Sequence, residues 1–273
     1  MNEIEYRQHP AMNFSSLAQF NKSPDHALIK MEYKSYFEYG KQFETLLQDA
    51  VKATDDFEQR FYPTNLSNKM PDELVGWIDK KEDLEDKYEY TKAGKLSGTY
   101  KGRHAYLDEA LKHPGKIPVS GPDSEMLKRH VENMLKMNYM GTSVESLLSR
   151  AEWQVPIIFE DYDTYEKKAL LDCKVDDLVI DIKTTASFQK FGYRLRDDYW
   201  IQQIFYSRAA KAKDFVFFVA SKEEPCLCAP FKLEAYDGLD DQFDKLCEAY
   251  SEWVDEGKHG RGYLPLQTVK KWR

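Results

Sequence analysis

Residues 152–220 alternate two hydrophobic periods in an order that few architectures accommodate. Trp153, Val155, Ile157 and Phe159 recur at every second position, the period of a half-buried strand. A turn over 161–163 leads into a second strand-like run, 165–175, and Asp176 with Asp177 makes a tight turn into a third, 178–184. Residues 199–210 take helical spacing, and 215–220 are an almost unbroken apolar run, the texture of a strand covered on both faces. Residues 226–233 read as an edge strand, and Phe243, Leu246, Cys247, Tyr250 and Val254 mark a closing helix over about 240–256. Strands joined by short turns, a crossover helix and then a buried strand call for a mixed central sheet flanked by helices, an α/β (α+β) fold.

The first half has another texture. Ser15-Ser16-Leu17 caps a helix carrying Leu17 and Phe20, and Ser23-Pro24 stops and restarts the chain. A second helix is expected over 37–51, with Phe43, Leu46 and Leu47 on one face. Residues 52–75 read as polar and irregular, 80–103 as dense in lysine and glutamate, and 114–122 as a loop. A strongly amphipathic helix begins at Asp123 and carries Met126, Leu127, Val131, Met134 and Leu135; a short one follows over 143–148. His130 lies on the first of these and is assigned no functional role. With no internal repeat and no low-complexity tail, the 273 residues are expected to form a single domain: 1–150 mainly helical, 151–273 the sheet-containing core.

Composition narrows the function classes. A mean hydropathy of -0.69 and 32% charged residues fit a soluble protein, and no apolar run approaches the length of a membrane span. Residues 1–7 lack the basic and apolar stretches of a signal peptide, so the expected location is cytoplasmic. Cys173, Cys226, Cys228 and Cys247 include one Cys-x-Cys pair, a poor zinc spacing, and are read as free thiols. The net charge of -8 argues against a protein that coats nucleic acid, but not against an enzyme with a local basic groove and metal-holding acids.

The chemistry concentrates in Asp176-Asp177-Leu178-Val179-Ile180-Asp181-Ile182-Lys183-Thr184-Thr185. Residues two apart on a strand share a face, so Asp181 and Lys183 point the same way, and Asp176 at the preceding turn can converge on them. Two carboxylates and a lysine at a strand end make a hard-oxygen metal site beside a fixed positive charge, the parts that phosphodiester cleavage needs. Acidic-x-Lys triplets also occur at Glu32/Lys34, Asp79/Lys81 and Asp172/Lys174, so the apolar strand, the upstream aspartate and the turn carry the assignment. Asp172, four residues before Asp176, is the alternative first ligand. Downstream, Gln202 and Tyr206 are four apart on the expected helix and share a face.

The order Asp…Asp-x-Lys-Thr-Thr followed by Gln-x-x-x-Tyr resembles the RecB-type nucleases of the PD-(D/E)xK superfamily. More narrowly it resembles the exonuclease VIII (RecE) C-terminal nuclease domain of phages and prophages. His9-Pro10-Ala11, Ser15-Ser16-Leu17, Ser23-Pro24, 91–95 and 215–220 follow that family's order. The resemblance implies a restriction-endonuclease-like core, metal binding by Asp176 and Asp181, a catalytic Lys183, and support from Gln202 and Tyr206. It implies Mg2+, with Mn2+ as a substitute, and 5′-to-3′ digestion of linear double-stranded DNA that leaves 3′ tails for a single-strand annealing protein. A homo-oligomeric ring is implied as well. Where the family often has Gly-x-x-x-His, this chain has Gly40 to Glu44, making Glu44 a candidate ligand; Glu152, at the start of the first strand, is another. The four-cysteine spacing of iron–sulfur relatives is absent. Lys92, Lys95, Lys101 and Arg103, interleaved with glycines, are candidate DNA-backbone contacts. A PD-(D/E)xK endonuclease and a non-catalytic DNA-binding protein of the same fold are the alternatives.

Overall fold

The computed structural model describes residues 3–29, 35–161 and 165–260. Its first part comprises α1 (Glu3–Gln8), β1 (Met12–Asn13), α2 (Phe14–Lys22), α3 (Pro24–Leu28), α4 (Ser35–Lys52) and α5 (Asp56–Arg60). There follow β2 (Phe61–Pro63), α6 (Leu74–Asp79), α7 (Lys101–Lys112), β3 (Ile117–Val119), α8 (Gly121–Leu135), β4 (Asn138–Tyr139), β5 (Thr142–Ser143) and α9 (Val144–Arg150). The second part holds β6 (Glu152–Phe159), β7 (Lys167–Val175), β8 (Leu178–Thr185), α10 (Phe188–Arg194), α11 (Trp200–Ala210), β9 (Asp214–Ser221), β10 (Cys228–Phe231) and α12 (Leu239–Asp255).

The central sheet is mixed and six-stranded, in the order β1-β7-β8-β9-β10 with β6 also paired to β7. β6 lies antiparallel along β7 from Glu152↔Lys174 to Phe159↔Lys167 and so occupies one edge of it. The other edge is shared. β8 holds β7 only at Cys173↔Ile180, Lys174↔Val179 and Val175↔Leu178, while β1 joins in parallel at Lys167 and Lys168. Past Ile180, β8 leaves β7 and continues in parallel with β9 as far as Thr185↔Ser221. The two strands therefore fork, and the segment of β7 next to the fork is where Asp172 sits.

Alternation along β8 and β9 feeds two cores. Ile180, Ile182, Val216 and Phe218 pack with Phe43 and Leu47 of α4 and Leu127 and Val131 of α8. Val179, Phe215, Phe217 and Val219 face the opposite way, against Leu17, Ile201, Phe205 and Phe243. Both faces of the sheet are thus covered, which is why residues 215–220 read as continuous apolar sequence.

Several expectations are corrected. Residues 52–75 are irregular only in part: Asp49 accepts the backbone N–H groups of Asp56 (3.2 Å) and Phe57 (2.7 Å), starting α5, β2 follows directly, and the irregular stretch is 64–73, before α6. The loop expected over 114–122 contains β3, paired in parallel with β2. Strands of three residues carry too little alternation to be seen in sequence. α7 and α10 were not anticipated either, and α8 starts at Gly121, where Ser120 caps the Asp123 N–H at 3.2 Å. The turn expected over 161–163 falls partly outside the described residues.

Candidate active site in the fork between two strands

Extending the β7–β8 register by one step sets Asp172 opposite Asp181, but the strands have already parted there. The Asp172 carboxylate fills the gap by accepting the Ile182 N–H at 2.9 Å. Asp181, only 1% exposed, carries the Lys183 ammonium on Oδ1, and its Oδ2 accepts the Gln202 side-chain amide at 2.5 Å from α11. α4 closes the site from the other side. Gly40 lies over Thr184, so close that a Cβ there would stand 3.7 Å from its hydroxyl, and Glu44 is one helical turn further along. Gln154 of β6 donates its amide to Glu44. Its φ of +51° is the left-handed region, uncommon for a non-glycine residue inside a strand and of the kind that collects at functional sites.

The electrostatics show that these groups act on one another. Burial first, then the Asp172 charge, pushes Glu44 up to about 8 against the opposing pull of Lys183. Burial likewise raises Asp181 to about 7, with Lys183 opposing and Asp172 adding to the rise. Asp172 is raised by burial, moderated by Lys183 and by the Ile182 N–H. Burial works against the Lys183 ammonium, yet Asp181 and Asp172 hold its pKa above the ordinary lysine range. Burial and then Asp181 keep the Tyr206 phenol protonated, and Tyr206 packs edge-on against Phe14 with ring centroids 6.2 Å apart. The Tyr199 ring lies beneath Lys183, its centroid 5.8 Å from Nζ.

Of the residues singled out in the sequence, Asp181, Lys183, Gln202 and Glu44 come together here, and Tyr206 borders them. Asp176 does not. It sits in the β7–β8 turn with φ +51°, its side chain 82% exposed and 3.4 Å from Arg150, so the first acid of the cluster is Asp172. The reason is the turn and the distance, not parity: Asp176 follows Val175, the last residue of β7 paired to β8, and lies four residues, roughly 13 Å along the strand, beyond Asp172. Glu152 is exposed at the start of β6 opposite Lys174, and does not figure among the charges acting on the cluster.

The proposed DNA-backbone cations are elsewhere. Thr91 N–H bonds the Lys95 carbonyl at 2.7 Å, closing a small hairpin with Gly94 at φ +74° and Lys92 and Lys95 exposed on it. Lys101 is exposed at the start of α7, whereas Arg103 is partly committed, its guanidinium stacked 4.7 Å from the centroid of Trp77. Among the described residues no hydrogen bond or ion pair joins these four to the carboxylates. Gln154 was missed altogether; its role depends on the left-handed turn of its backbone, which leaves no mark in the sequence.

No family model matches the chain, and no curated protein matches it. Among solved structures, one from Eubacterium rectale, described as a candidate exonuclease, aligns with a TM-score of 0.47 at 11% identity, over 99% of this chain and 96% of that one. Another, SSO0001, aligns with a TM-score of 0.32 at 15% identity, over 79% of this chain and 86% of that one. Likeness this distant does not bear on what the chain does, and the case for function rests on the residues themselves.

Proposed function

We propose that the chain is a metal-dependent deoxyribonuclease that digests linear double-stranded DNA. The observation that carries this reading is the meeting of Asp172, Asp181 and Lys183 in the fork of β7 and β8, with Glu44 brought over them by α4. The polarity expected from the resemblance, 5′-to-3′ with 3′ tails left for a single-strand annealing protein, belongs to the same proposal, as does assembly into a ring.

The donor set fits a hard divalent cation, Mg2+ or Mn2+ in its place. Glu44, Asp172 and Asp181 offer carboxylate oxygens only, and the buried Oε1 of Gln202, whose amide nitrogen holds Asp181, lacks a hydrogen-bond partner. Among the described residues no three His, Cys, Asp or Glu side chains stand as a preformed metal cage, and the Lys183 ammonium occupies Oδ1 of Asp181. A bound cation would lower the pKa of a ligated water and stabilise charge on the phosphorane oxygens. Lys183, kept protonated by its two carboxylates, supplies a fixed positive charge to the phosphate and orients the attacking water. Gln202 fixes the Asp181 carboxylate, and Gln154 fixes that of Glu44, so both are oriented before substrate arrives.

Linear duplex with a 5′ phosphate and closed circular duplex, each with Mg2+ or EDTA, form the test. The expected outcome is Mg2+-dependent loss of the linear substrate alone, abolished by Lys183→Ala. Asp172→Asn should cost at least about 100-fold, the scale of losing one charge-stabilising group, while Asp176→Asn stays within about twofold. Cutting of the circle would favour an endonuclease, and no cleavage with either metal would refute the catalytic reading.

A further inference from the structure

At the end of β9, next to the site, lies a lysine that the chemistry above does not use. The Lys222 N–H bonds the Thr185 carbonyl at 2.8 Å, tying it to the last residue of β8. Its half-buried ammonium rests on the Tyr39 ring, 3.3 Å from the centroid. Tyr39, one residue before the glycine that lies over Thr184, is itself fixed: its hydroxyl meets His130 Nδ1 at 2.9 Å, and His130 Nε2 meets the Ser221 carbonyl at 2.8 Å. Ser221, His130, Tyr39 and Lys222 therefore close a ring of contacts that holds one cation in one place.

That cation lacks a matching anion. Among the described residues no carboxylate lies within ion-pair distance of Lys222. The charge that acts on it, Asp123, is capped by the Ser120 hydroxyl at 2.8 Å, and neighbouring Glu224 is taken by Arg129 at 3.1 Å. Burial accordingly pulls the Lys222 pKa down. A half-buried ammonium with unused donors costs free energy unless something anionic meets it. Lys183 pairs in register with Val219, three residues before Lys222, so their backbone positions lie roughly 10 Å apart along the strands and the odd spacing turns the two side chains to opposite faces of the sheet. Lys222 therefore does not serve the phosphate being cut; it lies beside the site through Tyr39, the neighbour of the glycine over Thr184, where a phosphate further along the backbone would pass.

We propose that Lys222, seated on Tyr39, binds a backbone phosphate of the DNA next to the cleaved position. The inference rests on the nuclease reading and adds a subsite to it. A phosphate contact fixes register without reading sequence, so its signature is in salt dependence.

The test is binding of a fluorescent short duplex to the full chain with Ca2+ in place of Mg2+, over a salt series. Wild type, Lys222→Gln and Lys222→Arg would be compared, with cleavage kinetics and thermal midpoints measured in parallel. The expected result is binding weakened about tenfold in Lys222→Gln, a log–log salt slope smaller by about 0.9, KM raised more than kcat is lowered, and both restored by Lys222→Arg. A wild-type salt slope retained in Lys222→Gln, while wild type still cuts DNA, would overturn this inference alone. Failure of Lys222→Arg to restore the slope in a stably folded protein would also overturn it, assigning the lysine to packing. If wild type neither binds nor cuts the duplex, both this subsite and the nuclease reading fall.

Discussion

Asp181, Asp172 and Glu44 are held in a place that resists their ionisation, and that resistance has a thermodynamic sign. Burial raises Glu44 to about 8 and Asp181 to about 7, above the usual carboxylate range, so the metal-free fold keeps protons that the unfolded chain has released. Its stability therefore falls as pH climbs from the ordinary carboxylate range through about 8. A divalent cation needs those same groups deprotonated, so its binding releases protons and strengthens with pH. The expected outcome is that a fixed Mg2+ concentration raises the thermal midpoint more at pH 8 than at pH 6, and that Glu44→Gln shrinks the difference; equal shifts at both pH values would contradict the assignment of these carboxylates. At this scale the sequence is legible where chemistry follows strand parity, as it does for Asp181 and Lys183. It is not legible where a turn intervenes: the spacing of the resemblance favours Asp176 as the upstream acid, with Asp172 only as the alternative. Only the parting of β7 from β8 after Ile180 turns one of them into the site and the other into solvent.

The helix α4 shows how an element, rather than a residue, delivers a proposed ligand. Its buried face, Phe43 and Leu47, fixes it on the sheet, and Gly40 allows the approach that brings Glu44 over the fork. A methyl at Gly40 would meet the Thr184 hydroxyl at 3.7 Å, an ordinary contact, and would remove the conformational freedom of a glycine inside a helix. Gly40→Ala should therefore raise stability by about 0.5–1 kcal/mol in urea unfolding and leave cleavage intact. Gly40→Leu, too large for that gap, should displace α4 and lower cleavage by at least about tenfold, on the scale of a misplaced catalytic group. Equal activity in both variants would show that α4 does not set the position of Glu44. Elements of this length announce themselves by periodicity, and α4 was expected over nearly its whole extent. The short β2 and β3 did not, because a pairing of three residues between distant segments is made by tertiary contact rather than by local pattern.

Across the whole molecule, the helical first half and the sheet of the second half are bound by more than adjacency. β1 adds a parallel strand to β7, α4 supplies Glu44, and α4 with α8 covers one entire face of β8 and β9. A fragment starting at residue 151 would expose Ile180, Ile182, Val216 and Phe218 on that face and lose a proposed ligand as well. Each such side chain contributes about 1.5–3 kcal/mol when buried, so uncovering four of them removes an amount comparable to the ~5–15 kcal/mol that a whole domain retains. The expected result is that the full chain unfolds in urea in one cooperative step, while the fragment 151–273 shows no cooperative transition and no cleavage. The second half of the sequence reads well enough by itself, with its alternating strands and its Asp-x-Lys, to invite the opposite view that it is an independent catalytic core. A fragment that folded and cut DNA would establish that view and reduce the first half to an accessory. The geometry argues otherwise, since the apolar face of β8 and β9 and the open side of the fork are both completed by the same helix.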